Sequence, residues 1–64
     1  MNEAAIVDLK LLDEAAAAQA LGLKPRMLRD RRRRGEISFR RIGRLIRYAR
    51  ADLEEFVERS KVEP

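Results

Sequence analysis

The chain has no cysteine, no histidine and no tryptophan. Without cysteine no disulfide can staple the fold and no thiolate can hold a metal. Without histidine the commonest general base and the usual zinc ligand are missing too. Only three glycines and two prolines are present, so each of them punctuates the chain. The aromatic residues are Phe39, Tyr48 and Phe56 alone. At 64 residues the chain makes one small domain with a small core and little room for a pocket. No apolar run approaches the ~20 residues of a membrane span. Ile6 and Val7 are flanked by charge, so no signal peptide is expected and a cytoplasmic location is the default. No catalytic residue, metal site or cofactor is expected.

What the chain has in abundance is arginine, twelve residues against three lysines. The net charge of +4 hides a segregation. Residues 1–23 carry Lys10 against four acids, a net −3. Residues 24–50 carry twelve Lys/Arg against Asp30 and Glu36, a net +10. Residues 51–64 carry Arg59 and Lys61 against five acids, again −3. A segment at +10 calls for a polyanion, and arginine forks onto phosphate and guanine. Nucleic acid is the expected partner.

Residues 1–10 set no clear period; Glu3 to Val7 fit a helical turn or a frayed end. Leu11-Leu12 reads as a short extended lead-in. Asp13 is a good N-cap, and an alanine-rich helix follows from Glu14 to Leu21, with Gly22 as its left-handed stop. Its small face would let a second helix approach closely. The turn Gly22-Leu23-Lys24 has the length of a helix–turn–helix connection. Pro25 opens the second helix, which runs to about Arg34 before Gly35. Stepping about 100° per residue from Leu28 as the inward position, Arg26, Arg29, Asp30, Arg33 and Arg34 face outward. Arg31 and Arg32 border the core, with stems packed and heads reaching out to water.

Residues 37–42 and 45–48 read as two strands, joined at Gly43-Arg44 by a tight turn. Ile37, Phe39, Ile46 and Tyr48 supply their inward side chains, and Arg40, Arg41, Arg44 and Arg47 decorate the hairpin. In the third helix Leu53, Phe56 and Val57 recur at i, i+3 and i+4 and form a buried stripe. Asp52, Glu54, Glu55 and Glu58 are placed outward, for solubility and dipole complementation. The fold class expected is mainly α with a small β-hairpin, a winged helix–turn–helix over residues 11–59. Residues 1–10 are an ill-defined N-terminal segment, and 60–64 a loose tail.

In this order the parts resemble the small winged-helix DNA-binding domains of the excisionase and MerR superfamily, from Leu11 to about Val57. The resemblance rests on the Leu11-Leu12 lead-in, the small pair Ala17-Ala18, Leu21-Gly22-Leu23, the core residue Leu28 and Gly35-Glu36-Ile37. It also rests on the wing turn Arg41-Ile42-Gly43-Arg44 and the helix Asp52-Leu53-Glu54-Glu55-Phe56. The chain departs from the pattern at Arg31 and Arg32, usually apolar, and at Ala49, usually proline.

The resemblance implies that the second helix enters the major groove of double-stranded DNA and the wing a neighbouring minor groove. Arg26, Arg29 and Arg33 become candidates for base or adjacent-phosphate contact. Asp30 would accept from a cytosine amine or orient Arg26 or Arg33. Lys24, Arg31, Arg34, Arg40 and Arg47 are phosphate candidates, and Arg44 with Arg41 beside it is placed for the minor groove. Excisionases bind adjacent sites cooperatively, bend DNA and help a recombinase. The implied partners are therefore DNA, further copies of the chain and a tyrosine or serine integrase, in the cytoplasm of a bacterial host. A small MerR-like or prophage transcription regulator is the alternative. MerR regulators continue into a long dimerisation helix, and the sequence ends soon after its third helix, which favours the excisionase. A third reading, an arginine-rich helix folding on structured RNA, leaves the wing unexplained.

Overall fold

Asp13 starts the first described helix by capping. Its Oδ1 accepts the Ala16 N–H at 2.8 Å and starts helix α1, Glu14–Leu21. The computed structural model describes residues 10–64, so the helical turn considered for residues 3–7 lies outside it. Gly22 ends α1 at φ 72°, and Leu23 N–H then reaches back to Ala18 O at 2.8 Å. Only a residue tolerant of positive φ lets the chain reverse within so short a turn. Helix α2, Pro25–Arg33, follows at once, with proline in its first turn, where a missing N–H costs nothing. Glu36 N–H bonds Arg31 O at 2.9 Å and closes α2.

Two three-residue strands come next, β1 Arg40–Ile42 and β2 Leu45–Arg47, paired antiparallel with Arg40 opposite Arg47 and Ile42 opposite Leu45. Gly43 supplies the positive φ of their turn, 61°, and Arg44 beside it keeps a negative φ. That is the pattern of a type II′ turn, whose twist suits a hairpin. The strands are shorter than the apolar pattern predicts. Ile37 leaves the strand direction to bury itself, and the Ser38 hydroxyl donates to Glu55 at 3.0 Å. Tyr48 N–H donates to Leu12 O at 2.8 Å, and Tyr48 O accepts from Leu12 N–H at 2.9 Å. The lead-in thus adds a one-residue bridge to the hairpin.

Helix α3 spans Arg50–Arg59. It starts two residues before Asp52, because the Asp52 carboxylate turns back to accept the Ala49 N–H at 2.9 Å. The expectation that Asp52 faces outward is therefore wrong: it is only 4% exposed. The buried core is Ala17, Ala18, Leu28, Ile37, Tyr48 and Leu53, ringed by half-buried Leu12, Leu21, Leu23, Phe39, Ile46 and Phe56. Ala17 and Ala18 are fully buried, which gives the alanines of α1 a steric meaning as well as helix propensity. Val57 does not complete the stripe of α3. It is 55% exposed, beside Ala20 and Leu21 on the open groove between α1 and α3. No described helix is long and apolar enough to cross a membrane.

Candidate nucleic-acid interface

The site is built on α2. Leu28 is its one fully buried side chain, and a buried leucine contributes about 1.5–3 kcal/mol. That is a thin anchor for so cationic a helix, and a second one supplements it. Arg32 does not send its head into water. Its Nε donates to Glu14 Oε2 at 3.1 Å, its Nη2 lies 3.5 Å from Glu14 Oε1, and its guanidinium sits 5.7 Å from the Phe39 ring centroid. The hydrogen bond and charge of Glu14 outweigh partial burial and raise the Arg32 pKa. The Tyr48 hydroxyl donates to the same Glu14 Oε2 at 3.0 Å. Burial first, then the Glu14 bond and charge, push the Tyr48 pKa up to about 12. Glu14 thereby joins α1, α2 and the end of the hairpin.

This leaves the other face of α2 open. Lys24, Arg26, Arg29, Asp30, Arg33 and Arg34 are all exposed. Among the described residues none of these six has an ion-pair partner. Asp30 bonds neither Arg26 nor Arg33, so it does not orient either arginine in the free protein. Arg31 turns to the end of the helix and pairs with Glu36 at 3.0 Å. Arg59, from α3, holds that same turn by donating to Glu36 O at 3.1 Å.

The four wing arginines differ in what they do. Arg44 is exposed at the turn without a partner among the described residues. Arg41 is exposed and lies 5.8 Å from the Phe39 ring centroid. Arg47 is half-buried, its Nη1 donating to Ile46 O at 2.8 Å. Arg40 forks onto Asp52, Nε to Oδ2 and Nη2 to Oδ1, both at 3.1 Å. Burial acts to raise the Asp52 pKa, but the bonds from Arg40 and Ala49 N–H and the charge of Arg40 prevail and hold it below the usual carboxylate range. Arg40 ties the wing to the start of α3, while its side chain as a whole stays about half exposed and Nη1 is left without a bond to Asp52.

Sequence reasoning missed Glu14 and Asp52 as organising residues. The available signal was charge: each is an acid at the first turn of a helix next to a segment at +10 in need of internal counter-ions. Among the described residues no group of acids is arranged to hold a metal ion.

The result is two adjacent helices across a three-residue turn, the second with a bare cationic face, and a basic hairpin beyond it. Residues 11–61 match a family described as the helix-turn-helix domain. The chain belongs to that family. Membership implies DNA binding, with double-stranded DNA as the partner, and members are typically non-enzymatic. Among the described residues, three helices and the antiparallel hairpin make it a small winged helix–turn–helix domain. No curated protein and no solved structure matches the chain.

Proposed function

We propose that this helix–turn–helix protein is an excisionase, a DNA-bending factor that binds adjacent sites and directs a phage or mobile-element integrase toward excision. The observation that carries the DNA-contact part of this reading is the set of cations without ion-pair partners among the described residues: Lys24, Arg26, Arg29, Arg33 and Arg34 on α2 and its caps, and Arg44 at the wing tip. Charges that an isolated fold leaves unpaired on one helix face and one hairpin tip suit a helix in the major groove and a wing in the minor groove. Arg26, Arg29 and Arg33 are assigned to base edges or the phosphates next to them, with Asp30 free to accept from a cytosine amine. Lys24, Arg34, Arg40 and Arg47 are assigned to phosphates, Arg40 through Nη1, which Asp52 leaves open, and Arg41 and Arg44 to the minor groove.

The excisionase assignment within the family is supported by the motif series that ends in Arg41-Ile42-Gly43-Arg44 and Asp52-Leu53-Glu54-Glu55-Phe56. One domain of this size reads few base pairs, so useful specificity needs neighbours. The −3 segments at either end can meet the +10 middle of the next copy on the same duplex.

Footprinting with a circular-permutation bending assay, on duplexes with one site and with tandem sites, tests the reading. Excisionase behaviour is cooperative occupancy of tandem sites with a bend, and stimulation of excision when the integrase is added. Binding without a bend identifies a small MerR-like or prophage transcription regulator instead.

A further inference from the structure

The wing carries an apolar pair that takes no part in the core of the described residues. In the register of β1 and β2, Ile42 and Leu45 are direct partners on either side of the turn, and each is 52% exposed. Alternation puts them on the same face as Arg40 and Arg47, opposite the face on which Ile46 packs against the core. The outward face of the wing is thus aliphatic at its tip and cationic at its base. Between residues 37 and 51 there are five arginines and no acid.

We infer that Ile42 and Leu45 form an apolar wedge that enters the minor groove, presses on its sugar walls and opens a base step, bending the duplex. The inference rests on the DNA-binding reading above and names the device by which the wing would bend its target. Charge decides the occupant. A hairpin whose Arg41, Arg44 and Arg47 have no carboxylate partner among the described residues suits a polyanion, and the DNA minor groove offers apolar sugars and base edges below a rim of phosphates. That layering matches aliphatic side chains at the tip and guanidinium groups behind them. Apolar wedges at minor-groove steps widen the groove and kink the helix toward the major groove. Arg44, between the two in sequence and without a partner among the described residues, supplies the attraction that brings them to the groove.

The full chain is tested on a duplex that it has itself selected from a random pool. The duplex carries a fluorescent donor and acceptor at its ends, and 2-aminopurine is stepped along the region under the wing. Wild type is expected to raise end-to-end energy transfer and to unquench 2-aminopurine at one step. The Ile42→Thr/Leu45→Thr variant keeps strand-forming residues. It is expected to keep the wild-type circular dichroism, to bind more weakly, and to lose both the transfer gain and the unquenching. Leu45→Thr alone serves if the double variant loses its melting transition, with a partial loss of both signals expected. Unchanged bending and unquenching in a folded variant overturns the inference, as does wild-type binding without a bend. A variant that bends a single site normally but loses cooperativity on tandem sites also overturns it. The pair would then be covered by a second copy, for instance at the acid-rimmed groove holding Leu53, Val57, Glu54 and Glu58. Failure of wild type to prefer duplex DNA over structured RNA is seen before any variant is made, and would remove the DNA reading itself.

Discussion

The Tyr48 hydroxyl and the Arg32 Nε meet on one oxygen, Glu14 Oε2, at 3.0 and 3.1 Å. Tyr48 is fully buried, and the Arg32 and Glu14 side chains are 16% and 24% exposed. The three side chains come from the hairpin's end, from α2 and from α1. Replacing Glu14 with Gln would leave a mostly buried guanidinium without its counter-ion. Glu14→Gln is expected to lower stability by roughly 1–3 kcal/mol, and Tyr48→Phe, which removes one neutral donor, by about 1 kcal/mol. Urea denaturation of the three proteins checks the order. Equal losses would mean that the charge of Glu14 contributes nothing.

Tyr48 also sets an alkaline limit. Its pKa is raised in the folded state, to about 12, above the ~10 of an unfolded tyrosine. The folded state therefore holds this proton more tightly. The associated stability is full below about pH 10 and is lost as pH rises toward about 12. Each unit of raised pKa corresponds to about 1.4 kcal/mol. The unfolding midpoint in urea should fall over that window, and Tyr48→Phe should flatten the fall. A midpoint with the same pH dependence in both proteins would refute the assignment.

Asp52 acts in the opposite direction. Its folded pKa is lowered, so its contribution is present above the unfolded value of ~3.9 and is lost as pH drops through the folded one. Asp52→Asn should remove that acid dependence from the melting curve and loosen the start of α3, read by amide exchange at residues 50–53.

Helix α3 has half of a capping box. Asp52 bonds the Ala49 N–H, but Ala49 has no side-chain oxygen to return a bond. Ala49→Ser should complete the pair and stabilise the protein by about 1 kcal/mol, a rise in Tm of about 4–8 °C. Calorimetry decides this, and an unchanged Tm would show that the half-buried site cannot seat a hydroxyl.

Arginines of the same apparent role should separate into two classes. Arg29→Ala should cost on the order of 1–3 kcal/mol in DNA binding and relax preference at one base pair, with no loss of stability. Arg44→Ala should weaken binding alone. Arg40→Ala should lower stability too, since it strips Asp52 of its fork. If roughly six to eight phosphates are neutralised, log K should fall against log salt with a slope of about −5 to −7. Identical Tm values for Arg40→Ala and Arg44→Ala would contradict the division.

Much of this was legible in the sequence because local signals agreed. Asp13, Gly22, Pro25 and Gly43 each act where backbone chemistry places them, and α1 keeps its expected bounds. The helix–turn–helix and the hairpin follow from those four residues and the apolar pattern. What stayed hidden was long-range pairing. The Glu14–Arg32 and Arg40–Asp52 bonds link residues 18 and 12 positions apart, and no periodicity reports them. The same cause shortened the strands: Ile37 and Ser38 were claimed by the core and by Glu55, which are tertiary partners rather than neighbours in sequence.

Phe39 gains a meaning from its two cations. Its ring attracts a guanidinium from the recognition helix, Arg32, and another from the wing, Arg41. Glu14 neutralises the first, whereas the second has no counter-ion among the described residues. One aromatic side chain is thus shared by a neutralised guanidinium and one left open to a partner. The ring holds both at once in the free protein, at 5.7 and 5.8 Å from its centroid. A partner that engages Arg41 would therefore act on the same ring that steadies Arg32, so Phe39 is the mechanical link between the hairpin and α2.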